Sequence, residues 1–181
     1  MSIVVYAPGE AIPYTAKDLD DLCLPVTGIT PSDFLEDDWL DSRYGLFYVE
    51  KDVPIGVAFC SVKDHTETEA AGEKVQYQYM SVHVLCVSAA ARRGGIGGKL
   101  LKEVETLAKK LKLTIVRLSA IANQVHFYTT NGFVNKGSED EEDEYYLMEK
   151  ILKGGRRRAK TSRIRRSRQT TRRVKPRVAL R

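Results

Sequence analysis

The sequence Val87-Ser88-Ala89-Ala90-Ala91-Arg92-Arg93-Gly94-Gly95-Ile96-Gly97-Gly98 joins an apolar run to a segment with helical periodicity. Before it, Val75–Val87 first alternates and then becomes apolar, which predicts a long strand that is buried at its carboxyl end. After it, apolar residues recur at helical spacing between lysines and glutamates, which predicts a helix over Gly95–Leu111. The quoted stretch is therefore a glycine-rich turn that leads from a buried strand into a helix.

This turn has the chemistry of a phosphate-binding site. The first turn of a helix carries unpaired N–H groups and a partial positive charge, and glycines let a phosphate approach that backbone. Arg92 and Arg93 add charge at the same place. Two common nucleotide loops are excluded, because Leu100 stands where a P-loop needs Ser or Thr and where the dinucleotide fingerprint needs its third glycine.

The rest of the chain predicts a mixed α+β order of elements. Strands are predicted at Ile3–Ala7, Gly45–Glu50, Ile55–Lys63, Thr114–Leu118, from Gly132 onwards and at Tyr145–Ile151. Helices are predicted from Thr15 to about Cys23, from Thr30 to about Asp41, and over Asn123–Thr130 with Asn123 as the cap. Loops are predicted at Asp64–Lys74 and Ser138–Glu144.

Three segments carry a family resemblance. Arg92–Gly97 follows the pattern Arg-x-x-Gly-x-Gly, and His126–Phe133 contains Phe-Tyr-x-x-x-Gly-Phe one helix and one strand later. Together with Tyr146–Lys150, they resemble the GNAT N-acetyltransferase superfamily. The resemblance implies a central, mostly antiparallel twisted sheet flanked by about four helices. It covers a domain that we expect at residues 1–153.

The resemblance also implies how acetyl-CoA, the co-substrate, binds. The backbone of Leu85, Cys86 and Val87 would pair with the pantetheine arm like an added strand, beside a β-bulge that separates this strand from its neighbour. The pyrophosphate would lie among the N–H groups of Arg92, Arg93, Gly94, Gly95, Ile96, Gly97 and Gly98. Asn123 is either a helix cap or a pantetheine contact, since the family's usual asparagine position is Ile121 here. Tyr128 would lie near the cofactor sulfur.

The implied reaction is direct attack of a primary amine on the thioester, and no metal is expected. Tyr128 is the predicted general acid for the departing thiolate, and Cys86 matches a packing position of the strand. The general base is less well defined. Ser81 stands where some protein-acetylating members carry a glutamate, and His83 is a weak candidate two residues along. Other candidates are Glu50, Asp64, His65, the acidic loop and a chain of water molecules.

Charge is segregated along the chain. Gly154–Arg181 holds 13 basic and no acidic residues, whereas the preceding residues hold 16 basic and 24 acidic ones. The acidic part predicts a cationic acceptor, either a polyamine or a basic protein segment. It also allows a solvated surface or a contact with the chain's own basic tail.

The tail from residue 154 is predicted to be disordered. Residues 156–181 hold no aromatic residue, which favours contacts with nucleic-acid phosphates over base stacking. The tail equally suits a nuclear address or an extension without effect. The alternative function is a catalytically weak GNAT-fold module that acts through this tail as a nucleic-acid-binding or particle-associated protein.

Cysteine usage and hydropathy bear on the compartment. Cys23, Cys60 and Cys86 are an odd number of isolated cysteines, which predicts no disulfide framework and leaves Cys60 and Cys86 as buried thiols. No secretory signal or run of 18 apolar residues is present. These features predict an intracellular protein of the cytoplasm or nucleus.

Overall fold

A mixed seven-stranded sheet organises the computed structural model, which describes residues 2–27, 42–68, 74–138 and 144–152. The strands are β1 (Ser2–Tyr6), β2 (Tyr44–Glu50), β3 (Val53–Thr68), β4 (Lys74–Val87), β5 (Ile115–Ile121), β6 (Val134–Ser138) and β7 (Tyr145–Ile151). The described α-helices are α1 (Ala16–Thr27), α2 (Ile96–Lys110) and α3 (Val125–Thr130). The predicted second helix (residues 30–41), most of the acidic loop and the basic tail lie outside the described residues.

The sheet has the order β1-β2-β3-β4-β5-β7-β6. All neighbours are antiparallel except β4 and β5, which pair in parallel only over Met80–Val82 and Val116–Leu118. Beyond those residues the two strands part. The expected α+β fold with a mostly antiparallel sheet is therefore confirmed.

A β-bulge lies where β4 leaves β5. Cys60 pairs with Val82, whereas the preceding Phe59 pairs with Val84, so His83 is the extra residue on β4. The bulge exchanges the faces of the strand. Val82 belongs to the core beneath α2, and Val84 belongs to a second core beneath α1. The bulge implied by the family resemblance is therefore present.

The core beneath α1 corrects the prediction about cysteines. Cys23 of α1 and Cys86 of β4 form a disulfide, with their Cα atoms 5.3 Å apart. Their separation of 63 residues left no local spacing signal that could have indicated the pairing. Cys86 is thus not a free thiol, and the cysteine argument for a reducing compartment does not hold. Cys60 is a buried free thiol as predicted, and burial raises its pKa to about 12.

Several predicted boundaries were wrong. Residues 64–68 continue β3 instead of forming a loop, because their polar side chains pair across a solvated ribbon: the Gln78 amide donates to Asp64 Oδ1 at 3.1 Å. Helix α1 continues past Cys23 to Thr27. Asn123 does not cap α3, since it lies inside a 3-10 turn over Ala122–Gln124. By contrast, the bounds of β7 agree with the prediction, and those of α2 agree to one residue at each end.

Helix α2 packs its apolar side on the sheet and is also held by a buried ion pair. Glu105 is 5% exposed, and Lys150 of β7 lies 2.6 Å from its Oε1 atom. Lys150 also donates to the carbonyl of Asn131, the residue that ends α3. One lysine therefore links α2, α3 and β7. Lys102 pairs with the same carboxylate at 3.7 Å, but its side chain is 71% exposed.

Replacing each lysine partner of Glu105 tests this difference in burial. We expect Lys150→Met to reduce the free energy of unfolding by about 2–3 kcal/mol, because it leaves a buried carboxylate without its main partner. Lys102→Met removes only the exposed pair and should cost less than about 0.5 kcal/mol. Urea denaturation of the three proteins measures both values. Equal losses would contradict the assignment of the buried pair.

Candidate active site

The glycine-rich turn has the backbone expected of an anion-binding helix start. Gly95 caps α2 with a φ of 72°, and Arg93 also has a positive φ of 67°. The hydrogen-bond ladder of α2 begins at Lys99, whose N–H donates to the Gly95 carbonyl at 3.1 Å. The N–H groups of residues 96–98 precede that bond, so helix geometry leaves them for a ligand. Arg92 and Arg93 are exposed beside them.

Two of the glycines also serve helix packing. A Cβ atom on Gly97 would lie 3.0 Å from the ring of Phe127, and one on Gly98 would lie 3.0 Å from Oδ1 of Asn131. Both contacts come from α3 and its end. These two glycines thus let the start of α2 lie directly against α3. This packing role is separate from the close approach of a phosphate that glycines also allow.

The last residues of β4 present a backbone edge beside this turn. Val84–Val87 pair with β3 on one side, whereas the described residues place no strand against their other side. The side chains of Leu85 and Val87 pack against the core beneath α2, and that of Cys86 points to α1. Only backbone groups and the edges of these side chains therefore line the gap that a ligand would occupy.

Tyr128 lies on the helix that faces the start of α2. Its ring contacts those of Phe127 and Phe133, at centroid distances of 5.0 and 5.9 Å. Burial raises the pKa of Tyr128 to about 12, so the phenol stays protonated through the physiological range. Asn123 is exposed in the 3-10 turn that precedes this helix.

His83 occupies the bulge, and its Nε2 atom is 2.8 Å from the hydroxyl oxygen of buried Ser61. Burial lowers the pKa of His83 to about 4, and the charges of Arg43 and Lys63 act in the same direction. The imidazole is therefore neutral at pH 7. Its Nε2 atom already bonds Ser61, and the neutral ring is a weak Brønsted base.

A cavity of about 380 Å³ lies on the sheet face opposite α2, at the point where β4 and β5 part. It is lined by His65, Tyr79, Ser81, Val82, His83, Arg117, Leu118, Ser119 and Leu147. Of the other predicted base candidates, His65 lines this cavity, whereas Glu50 lines a different one beside Arg92 and Lys99. Asp64 accepts the hydrogen bond from Gln78 on the β3–β4 ribbon.

Sequence reasoning missed the polar group at the base of this cavity. Arg117 of β5 and Glu149 of β7 form an ion pair with an Nη2–Oε2 distance of 2.7 Å, and the Tyr77 hydroxyl bonds to the same nitrogen. Each charged residue interrupts an apolar strand, at Ile115–Leu118 and Tyr146–Ile151 respectively. A charged residue inside an otherwise apolar strand indicates a partner of opposite charge on the same face of the sheet, and this was the sequence signal that could have revealed the pair.

Comparisons with known proteins identify the class of transferase to which this fold belongs. The model of the acetyltransferase (GNAT) domain family matches residues 34–150. The chain belongs to the GNAT family and is an acetyl-CoA-dependent N-acetyltransferase. No curated protein sequence matches it. Among the described residues, no helix is long and apolar enough to cross a membrane.

Solved GNAT structures share the fold at low sequence identity. A GNAT family acetyltransferase from Elizabethkingia anophelis, with acetyl-CoA bound, aligns with a TM-score of 0.58 and 20% identity, over 83% of this chain and 97% of its own. Naa50 from Arabidopsis thaliana, in complex with the bisubstrate analogue CoA-Ac-MVNAL, aligns with a TM-score of 0.59 and 17% identity, over 84% and 100% of the two chains.

The lowered pKa of His83 predicts a pH-dependent stability. The unfolded imidazole takes up a proton below about 6.5, whereas the folded one does so only near 4. The contribution of His83 to the free energy of unfolding is therefore complete above pH 6.5 and is lost as the pH falls towards 4. Because the ring is partly solvated, we expect about 1 kcal/mol from this residue.

Urea denaturation at pH 7 and pH 5 checks this expectation. His83→Gln should lose less stability than the wild type between the two pH values, and His126→Gln, at an exposed position of α3, should behave like the wild type. A wild-type slope in the His83 variant would contradict the assigned environment.

Proposed function

We propose that this enzyme transfers the acetyl group by direct attack of a cationic primary amine, either a protein lysine or a polyamine. The observation that supports the proposal is the edge of β4 at Leu85–Val87, against which the described residues place no strand. It leads into the start of α2 and lies across from the helix that bears Tyr128. A CoA thioester has an extended amide-bearing arm and a pyrophosphate, and this edge and helix start offer backbone partners for both.

The basic residues of the turn provide the charge for the pyrophosphate. We propose that the N–H groups of residues 96–98 bond its oxygens while Arg92 and Arg93 neutralise its charge. Leu85 and Val87 would bond the pantetheine arm through their backbone, because the N–H and C=O groups of the alternate residue Cys86 point to β3. The Val87 carbonyl also accepts a bond from Arg92 Nε at 3.5 Å. The position of Asn123 in an exposed turn supports at most a contact at the outer end of that arm.

The acceptor must lose a proton before it attacks. With a pKa of about 10.4, a lysine-like amine is neutral in roughly one molecule in 2,500 at pH 7. His83 titrates near pH 4, so it is too weak to take the proton directly. We propose that it acts as a neutral hydrogen-bond acceptor along a water-mediated path. Arg43 and Lys63 would also lower the pKa of an ammonium bound beside His83.

The leaving group also needs a proton. As the new C–N bond forms and the C–S bond breaks, the thiolate of CoA departs with a conjugate-acid pKa of about 8.5. Tyr128 is protonated under these conditions and can donate its phenolic hydrogen to the sulfur. The nitrogen of the new C–N bond releases its extra proton to solvent, and the phenolate recovers one from solvent, so that an amide and a thiol result.

The preference for a cationic acceptor rests on the charge of the chain. Acidic residues outnumber basic ones before residue 154. In the described helix α1, however, Asp18 bonds the Thr15 backbone and Asp21 pairs with Lys17. Any attraction of the acceptor by this region therefore falls mainly on the acidic residues outside the described part of the chain.

The double variant Arg92→Gln/Arg93→Gln tests the pyrophosphate site. We expect kcat/KM for acetyl-CoA to fall 10- to 100-fold, because one or two charge-assisted hydrogen bonds are lost. With acetyl-pantetheine, which lacks the pyrophosphate, the variant should retain wild-type kcat/KM. The matched control Lys109→Gln/Lys110→Gln removes two charges from the other end of α2 and should resemble the wild type. An equal loss with both acyl donors would contradict the assignment.

The variant Tyr128→Phe tests the proposed acid and the reaction itself. We expect kcat to fall at least tenfold, because the thiolate leaves without a proton donor. The affinity for acetyl-CoA, measured by calorimetry, should change little, since the ring and its packing remain. Because the pKa of Tyr128 is about 12, the basic limb of the wild-type profile should show no ionisation of this residue below pH 10. Unchanged turnover in the variant would remove Tyr128 from the mechanism.

A further inference from the structure

The cavity opposite α2 extends from the gap between β4 and β5 to Arg117. Ser81 pairs with Arg117, and Arg117 pairs with Glu149, so the three residues lie on one face across three strands. Ser119 follows two residues beyond Arg117, where the parallel pairing has ended. Under the proposed function, the thioester reaches this face through the gap near His83 and Ser119. Arg117 then lies roughly 7 Å farther along the strand.

The guanidinium of Arg117 is held rigidly. Its Nε and Nη2 atoms lie 2.8 and 2.7 Å from Oε2 of Glu149. Nη2 also donates to the Tyr77 hydroxyl, and the guanidinium carbon lies 5.4 and 5.0 Å from the ring centroids of Tyr77 and Tyr79. The Arg117 side chain is only 15% exposed. It therefore loses little conformational freedom when a ligand binds.

One side of the guanidinium remains for a ligand. Among the described residues, the Nε and Nη2 atoms of Arg117 make the hydrogen bonds to Glu149 and Tyr77. The two N–H donors of Nη1 therefore remain for a ligand. Arginine has no acceptor, so Nη1 can recognise only an oxygen or another hydrogen-bond acceptor. Glu149 offsets the charge of Arg117 and also lies 4.0 Å from Lys136, so an uncharged carbonyl suits the Nη1 donors better than a second ion.

We propose that Arg117 is a specificity-determining residue whose Nη1 donates to a main-chain carbonyl of a peptide acceptor, so that peptide lysines are preferred over polyamines. The inference rests on the proposed acetyl transfer and selects between the two acceptor classes left open above. The separation of roughly 7 Å between Arg117 and the gap suits the four-carbon stem of a lysine side chain. A polyamine has no oxygen to offer.

Three acceptors with matched amines test this assignment. They are a tripeptide with a central lysine and both ends blocked, 1-aminopentane, and a lysine-free tripeptide with a free amino terminus. We expect the wild type to acetylate the blocked lysine peptide with a kcat/KM at least tenfold above that for 1-aminopentane. Similar values for these two acceptors, or a preference for the free amino terminus, would overturn the proposal.

The variant Arg117→Lys assigns the preference to this residue, because lysine keeps a charge for Glu149 but loses the Nη1 donors. The ratio of kcat/KM between lysine peptide and 1-aminopentane should fall about tenfold, mainly through KM for the peptide. Lys109→Gln, on the opposite side of the molecule, should keep the wild-type ratio. An unchanged ratio in Arg117→Lys would overturn the role of Arg117.

The wild-type comparison stands even if the variant is unstable, which a melting curve would reveal. Absence of product from all three acceptors and from spermidine, a polyamine, would overturn the proposed acetyl transfer together with this inference. Product without a preference for the peptide would overturn the inference alone.

Discussion

The separation of β4 from β5 is the constraint on which the rest of the site depends. A continuous sheet would satisfy the backbone of Val84–Val87 with a neighbouring strand and leave no place for an extended ligand. The bulge at His83 ends that pairing while β3 keeps β4 in place. The same bulge puts an imidazole at the gap and turns Cys86 towards α1. The exposed backbone edge of β4, the position of His83 at the gap and the attachment of α1 therefore all arise from one inserted residue.

The two sides of the gap are held by different kinds of interaction. On one side, Gly97 and Gly98 bring α2 against α3, and Lys150 binds both Glu105 and the end of α3. On the other side, the apolar core beneath α1 and the disulfide hold β4. The sheet face between them carries Arg117 and Glu149, a polar pair that apolar packing alone would not favour. Burial of an ion pair is weak evidence for a stabilising role, and the Arg117 side of this pair lines the cavity.

Periodicity and local motifs predicted what depends on neighbours in sequence. The amphipathic α2, the strand β7 and the glycine-rich turn all follow from patterns within about 15 residues of each other, so their bounds were nearly right. The polar end of β3 was missed because its stability comes from cross-strand pairs such as His65 with Tyr77, which no local pattern reports. The Cys23–Cys86 disulfide and the Arg117–Glu149 pair join distant segments. Only the three-dimensional arrangement brings them together.

The exchange of faces at the bulge has a consequence for local motion. Val84 and Cys86 are shared with the layer beneath α1, whereas Leu85 and Val87 are shared with the layer beneath α2. Four consecutive residues thus anchor to both cores, and a partial opening of either layer leaves them held by the other. In hydrogen-exchange terms, these amides should belong to the slowest-opening unit of the described fold. The strand that we propose binds acetyl-CoA is thereby the part of the described sheet least able to fluctuate when one layer loosens.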